Sequence, residues 1–327
     1  MRVLITRKLP DAGIKLLEDA GLAITQYSEK RELPQEELIE LCQSQDALLS
    51  SGPNVIDEHF LSHNRYLKGI ALMSVGYDKV DLQAATNCRI PVSNTPDVLT
   101  KTTADTAFLL MLAVSRNAFY QSQSIQRGQW GFYEPTANLG QELYGKTLGI
   151  FGMGRIGSDL ARKCRSYFGM DIIYHNRSRK VEVEQELSAI YVSFDDLLAK
   201  SDVLTVHAEL SEQTKGLFNA NAFRKMKPSS IFINTSRGGL HQENDLIEAL
   251  SKKEIWGAGL DVTNPEPMSP QNPLLTMPNV YVLPHIGSAT VETRDQMAIV
   301  AAKNIMAAMK DEKMPQILNP EVYRSNK

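Results

Sequence analysis

Few segments constrain a chain as tightly as a short apolar run that ends in glycine and passes straight into a helical pattern. Thr147-Leu148-Gly149-Ile150-Phe151 is such a run, and Gly152-Met153-Gly154-Arg155-Ile156-Gly157 follows it. Beyond the glycines, Ile156, Leu160, Ala161, Cys164 and Phe168 recur at helical spacing. Strand, glycine turn and helix together demand a βαβ unit with a parallel sheet. In that context G-x-G-x-x-G reads as a dinucleotide site. The first glycine makes the tight turn, the second admits the pyrophosphate, and the third lets the helix pack on its strand. The N-terminal turn at Arg155, Ile156 and Gly157 offers amides and a positive dipole end to phosphate.

The next expected strand, 171–175, ends where an acid ordinarily holds the ribose 2′-hydroxyl. Asn176 stands there, followed by Arg177, Ser178 and Arg179. No carboxylate repels a 2′-phosphate at that place, and two guanidiniums are present to bind one. The reading is NADP(H), with NAD(H) weaker, and hence a physiological direction towards reduction.

Around this unit the chain alternates strand-like and helix-like runs. Expected strands are 3–5, 23–25, 46–50 and 70–73, then 147–151, 171–175, 190–193, 202–207, 230–234, 257–262 and 279–283. The 327 residues suffice for two domains. We expect an α/β fold of two Rossmann-like domains with parallel sheets. The larger, doubly wound dinucleotide-binding domain, 100–290, is inserted into a smaller one built from 1–99 plus 291–327. The polar, aromatic stretch 121–145 reads as a surface loop or an arm across a partner.

A net charge of −3 gives no reason to expect nucleic acid or a membrane surface as partner, and the longest apolar run is too short to span a bilayer. Cys42, Cys88 and Cys164 lie far apart with no C-x-x-C, so a reducing, cytoplasmic location is expected, without signal or transit peptide. No metal site is expected, since His59 and His63 lack a third ligand. Gly140 to Thr147 satisfies the P-loop expression, but Thr147 opens a strand rather than a helix, so a turn into the sheet is expected.

Four further strand ends carry chemistry. Ile231-Phe232-Ile233-Asn234 delivers Arg237 onto a glycine turn, where a guanidinium can grip a carboxylate and polarise a carbonyl. Val280-Tyr281-Val282-Leu283 leads to His285, the histidine best placed for proton transfer. Glu266 is presented between Pro265 and Pro267, and a pairing with His285 would orient the ring. Spacing alone does not show that the two meet. His207 ends a strand as a candidate lining of the cofactor pocket.

Taken in order, the glycine fingerprint, Ser236-Arg237-Gly238, Asp261 to Pro267 and Pro284-His285-Ile286-Gly287 resemble the D-isomer-specific 2-hydroxyacid dehydrogenase family over nearly the whole chain. Within it the chain is most similar to the glyoxylate/hydroxypyruvate reductases. The resemblance implies Arg237, Glu266 and His285 as catalytic residues. It implies substrate contacts at Val75, Gly76, Arg237 and Ser288. Cofactor contacts are implied at Thr103, Gly152, Gly154, Arg155, Ile156, Gly157, Asn176, Arg177, Ser178, His207 and Asp261. It implies NADPH-dependent reduction of a small 2-oxoacid, glyoxylate or hydroxypyruvate, in a homodimer whose active-site cleft closes by hinge motion. One departure is that 135–138 holds no tryptophan, where some of those reductases place one. The alternatives are a 2-ketogluconate reductase of the same family and, from another class, a nucleotide-sensing corepressor.

Overall fold

Apolar runs of three to five residues bounded by turns become buried parallel strands, and the amphipathic runs between them become the covering helices. The computed structural model describes residues 1–324. It divides into two compact units, one of Met1–Leu99 with the described residues from Ala289 on, the other of Thr100–Ser288.

The first unit alternates β1 (Arg2–Ile5), α1 (Asp11–Asp19), β2 (Ala23–Gln26), α2 (Gln35–Cys42) and β3 (Ala47–Ser50). It continues with α3 (Glu58–His63), β4 (Ile70–Leu72), α4 (Leu82–Asn87) and β5 (Val92–Ser93). Among the described residues the sheet has five strands, ordered β2-β1-β3-β4-β5, all parallel. β5 is absent from the strands expected from the sequence, since two residues are too few to show a period.

The second unit opens with α5 (Thr100–Ser115) and α6 (Ala118–Gln126). Then follow β6 (Thr147–Phe151), α7 (Arg155–Phe168), β7 (Asp171–His175), α8 (Val181–Leu187), β8 (Ile190–Tyr191) and α9 (Phe194–Lys200). Next come β9 (Val203–Val206), α10 (Ala220–Lys225), β10 (Ile231–Asn234), α11 (Glu243–Ser251), β11 (Gly257–Leu260) and β12 (Val280–Val282). The sheet runs β12-β11-β10-β9-β6-β7-β8, parallel throughout. Along β10, Ile231 and Ile233 pack into the cluster containing α5 and α7, while Phe232 packs into that containing α9, α10 and α11. The period of two thus serves both faces of a doubly wound sheet. The stretch read as a loop or arm begins within α6, which buries no side chain and so shows no apolar stripe.

The chain returns to the first unit as α12 (Val291–Met309), N-capped by Thr290, whose Oγ accepts from Thr293 N. A Cβ on Gly13 would lie 2.8 Å from the Ala298 Cβ, so α1 sits directly on α12. Among the described residues no helix is long and apolar enough to cross a membrane.

Candidate active site

The three glycines after β6 are required for three different reasons. Gly152 has φ +97°, and a Cβ there would sit 2.6 Å from Ala208 N and 2.7 Å from the His207 carbonyl carbon. Gly157 would place one 2.7 Å from Gly152 O, so only glycine allows α7 its approach to the turn. A Cβ on Gly154 would meet nothing within 4 Å. That open face is where a ligand can come close to the backbone. Gly154 is also the N-cap of α7 and supplies no side-chain cap, so the first-turn amides remain to serve an anion. Asn176 steadies the turn, its Oδ1 accepting from Met153 N at 2.7 Å. These residues fit the pyrophosphate of a dinucleotide.

His207 N donates to Phe151 O at 2.8 Å, and its ring Nε2 meets Thr205 Oγ1 at 2.9 Å. Its Nδ1 is buried without a partner among the described residues. Burial pulls its pKa down to about 4 and does the same to His241. Both rings are therefore neutral in the fold. Between the ordinary value of 6.5 and about 4 the unfolded chain binds the extra protons, so stability is present above 6.5 and lost as pH falls through that window. Denaturant unfolding at pH 7 and pH 5 should differ by about 2 kcal/mol for each ring. An unchanged midpoint would show that the rings are protonated at no cost.

At the ribose end, the structure revises the role of one guanidinium. Arg179 is held by Glu184 at 2.5 Å, and the same carboxylate accepts from the Tyr174 hydroxyl at 2.6 Å. Glu184 is mostly buried and needs that counter-charge, and its carboxyl lies below the usual range because Arg179 and then Tyr174 bond to it. Arg177 is 90% exposed and pairs with Glu209 at 3.0 Å. Ser178 lies exposed between the two arginines.

The chemistry-bearing residues sit beyond the ends of β10, β11 and β12, three neighbouring strands. Asn234, fully buried at the end of β10, organises the arginine turn. Its Oδ1 accepts from Ser236 N at 3.0 Å, and its Nδ2 donates to Arg237 O at 2.9 Å and to His241 Nδ1 at 3.1 Å. A Cβ on Gly238 would overlap the Thr263 backbone, so this turn abuts the loop that carries Glu266. Beyond β12, His285 has φ +53°, rare for a residue with a side chain. Its Nδ1 lies 2.5 Å from Glu266 Oε1. The structure thus brings together the pair that spacing left open. Burial pushes the Glu266 carboxyl up, but the bond to His285, its charge and that of Arg237 outweigh this and hold it below the usual range. An ionised Glu266 accepts Nδ1–H and leaves Nε2 to exchange a proton.

Asp261, 1% exposed at the end of β11, turns both oxygens on the histidine loop. Oδ1 accepts from Ile286 N at 2.8 Å and Oδ2 from Gly287 N at 2.7 Å. Thr103 on α5 donates to Gly287 O at 3.1 Å, and Ser288 follows, buried. Sequence reasoning had assigned Thr103 and Asp261 only to the cofactor. Asn234 entered there only as the last residue of the strand, although an Asn two residues before Ser236 is the signature of a turn closed by its own side chain.

In the other unit, Val75 and Gly76 form a turn just beyond β4. Gly76 O accepts from Ser74 Oγ at 2.7 Å and Val75 O from Asn94 Nδ2 at 2.8 Å. His59 bonds Glu36 at 2.9 Å, and no group of metal-ligating side chains occurs among the described residues.

Comparison with known proteins agrees with this geometry. Residues 108–287 match the family described as D-isomer specific 2-hydroxyacid dehydrogenase, NAD binding domain. The chain is 42% identical to a glyoxylate reductase of Thermococcus litoralis, over 99% of this chain and 98% of that one. A glyoxylate reductase structure from Paecilomyes thermophila superposes with a TM-score of 0.86 at 33% identity, covering 97% of this chain and 98% of that one. So does an NADPH-dependent glyoxylate/hydroxypyruvate reductase from Sinorhizobium meliloti, solved with NADP and malonate. Its TM-score is 0.86 at 30% identity, with 100% and 99% of the two chains covered.

Proposed function

The chain belongs to the D-isomer-specific 2-hydroxyacid dehydrogenase family, and on that premise we propose that it is an NADPH-preferring reductase of glyoxylate and hydroxypyruvate. The family fixes the coarser statement, an oxidoreductase that uses a nicotinamide dinucleotide and reduces a 2-oxoacid. The observation that carries the reading is the meeting of Glu266 and His285 at 2.5 Å, with Arg237 on the neighbouring turn.

Gly152, Gly154 and Gly157, with the first turn of α7, would hold the dinucleotide, and Arg177 and Ser178 would face its 2′-phosphate. When bound, the nicotinamide supplies the hydride for the keto carbon. Arg237 binds the substrate carboxylate and polarises the carbonyl. His285 Nε2 gives its proton to the nascent alkoxide, and Glu266 holds the ring through Nδ1 during that transfer. The resulting product is a 2-hydroxyacid, glycolate or D-glycerate.

Support for the phosphate preference is the absence of an acid at Asn176 and the exposed guanidinium beside it. Trp130, Phe132 and Tyr133, all more than 70% exposed, support pairing with a second copy of the chain. The three free cysteines suit a reducing, cytoplasmic compartment.

Steady-state assay of glyoxylate, hydroxypyruvate, pyruvate and 2-ketogluconate, each with NADPH and NADH, tests the reading. The highest kcat/KM is expected for glyoxylate or hydroxypyruvate with NADPH. A best value for 2-ketogluconate would favour the sugar-acid alternative. Nucleotide binding without turnover of any 2-oxoacid would favour the sensor.

A further inference from the structure

β6 carries the glycine turn and lies between β7 and β9 in the sheet. Arg177 stands two residues beyond β7, and Glu209 three residues beyond β9. Their ion pair at 3.0 Å therefore reaches across the end of β6, on the edge of the sheet where dinucleotides bind. The side chains are 90% and 53% exposed, so the pair contributes little to the fold. Its partner loop differs in kind from the Arg179–Glu184 pair, whose carboxylate is mostly buried and also bonded to Tyr174. A carboxylate in reach of Arg177 has opposite consequences for the two cofactors. It occupies the guanidinium and repels a 2′-phosphate dianion, yet a bare 2′-hydroxyl can donate to it.

We propose that Glu209 sets the cofactor selectivity of this chain, holding Arg177 against a carboxylate and so narrowing the preference for the 2′-phosphorylated dinucleotide. This rests on the reading of Arg177 as the counter-charge of that phosphate.

The test is calorimetric binding of NADP+ and NAD+ to the full chain and to Glu209→Gln, Arg177→Gln and the double variant, at low and at moderate salt. Glu209→Gln is expected to raise the Kd(NAD+)/Kd(NADP+) ratio by about three- to fivefold, the worth of an exposed ion pair. The gain should shrink as salt rises, and Arg177→Gln should lower the ratio by about tenfold, a charge-assisted bond lost. In the double variant the gain should be smaller than in the single. If Arg177→Gln lowers the ratio but Glu209→Gln leaves it unchanged or lowers it, the role given to Glu209 is overturned while the phosphate reading stands. If Arg177→Gln leaves the ratio unchanged, the phosphate reading itself falls, and the role of Glu209 with it.

Discussion

Replacement of His285 by alanine is expected to lower kcat for glyoxylate reduction by about 10²- to 10⁴-fold, the usual contribution of a positioned general acid. The ring stands beyond β12 with Nδ1 on Glu266, and no other histidine shares that loop. KM should change far less, because the turn that carries Arg237, the proposed carboxylate ligand, is held by Asn234 and remains. The Kd of the nucleotide should stay within about twofold, since the glycine turn after β6 does not involve the lost ring. Glu266 sets the pH range over which the comparison is fair. Its carboxyl is held below the ordinary 4.5, so its contribution to the pair is present above that value and is lost as pH falls through the lowered one. Assays from pH 6 to pH 8 therefore keep Glu266 ionised throughout. A His285→Ala protein with near-normal kcat in that range would remove the residue from the mechanism.

Why this much was legible in the chain, and no more, has a physical explanation. The strand, turn and helix around Gly152 are written in local terms: an apolar run, glycines at fixed offsets and a helical period after them. Arg237, Glu266 and His285 were legible because each stands just past an apolar run, where a parallel sheet presents its ligands. Their meeting was not, because it depends on β10, β11 and β12 lying side by side, and strand order is a non-local fact. Arg179 looked free beside Arg177 because a charged run reads as solvent-facing, and its partner Glu184 belongs to a helix too short to show a stripe. Asn176 looked like a ribose contact, yet its side chain is spent on Met153. α6 escaped for a related reason. It buries nothing, so its sequence has no apolar face to betray it.

Asp261 provides the other large expected effect, and it separates two roles that the sequence could not. Asp261→Ala removes the acceptors of two amides, Ile286 N and Gly287 N, the second of them fully buried. Each donor left unsatisfied costs about 1–3 kcal/mol, so a loss of about 2–6 kcal/mol in unfolding free energy is expected from denaturant titration. The same two bonds hold the residues directly after His285, whose left-handed backbone at φ +53° is unfavourable by itself and persists because its surroundings impose it. Freed from Asp261, the loop relaxes and carries the imidazole away from Glu266. Turnover by the folded protein should then fall by about 10²-fold, the penalty of a displaced catalytic group. Asp261→Asn should lie between, because its amide oxygen serves one donor while its NH₂ opposes the other. If Asp261 acted instead as a direct contact of the cofactor, the same substitutions would raise the nucleotide Kd and leave kcat at saturation nearly intact. The geometry favours the first outcome, since both carboxylate oxygens already accept backbone amides at 2.7–2.8 Å and the side chain is 1% exposed. A fall in kcat with an unchanged Kd would make Asp261 a positioning residue of the proton-transfer loop; the reverse pattern would return it to the cofactor.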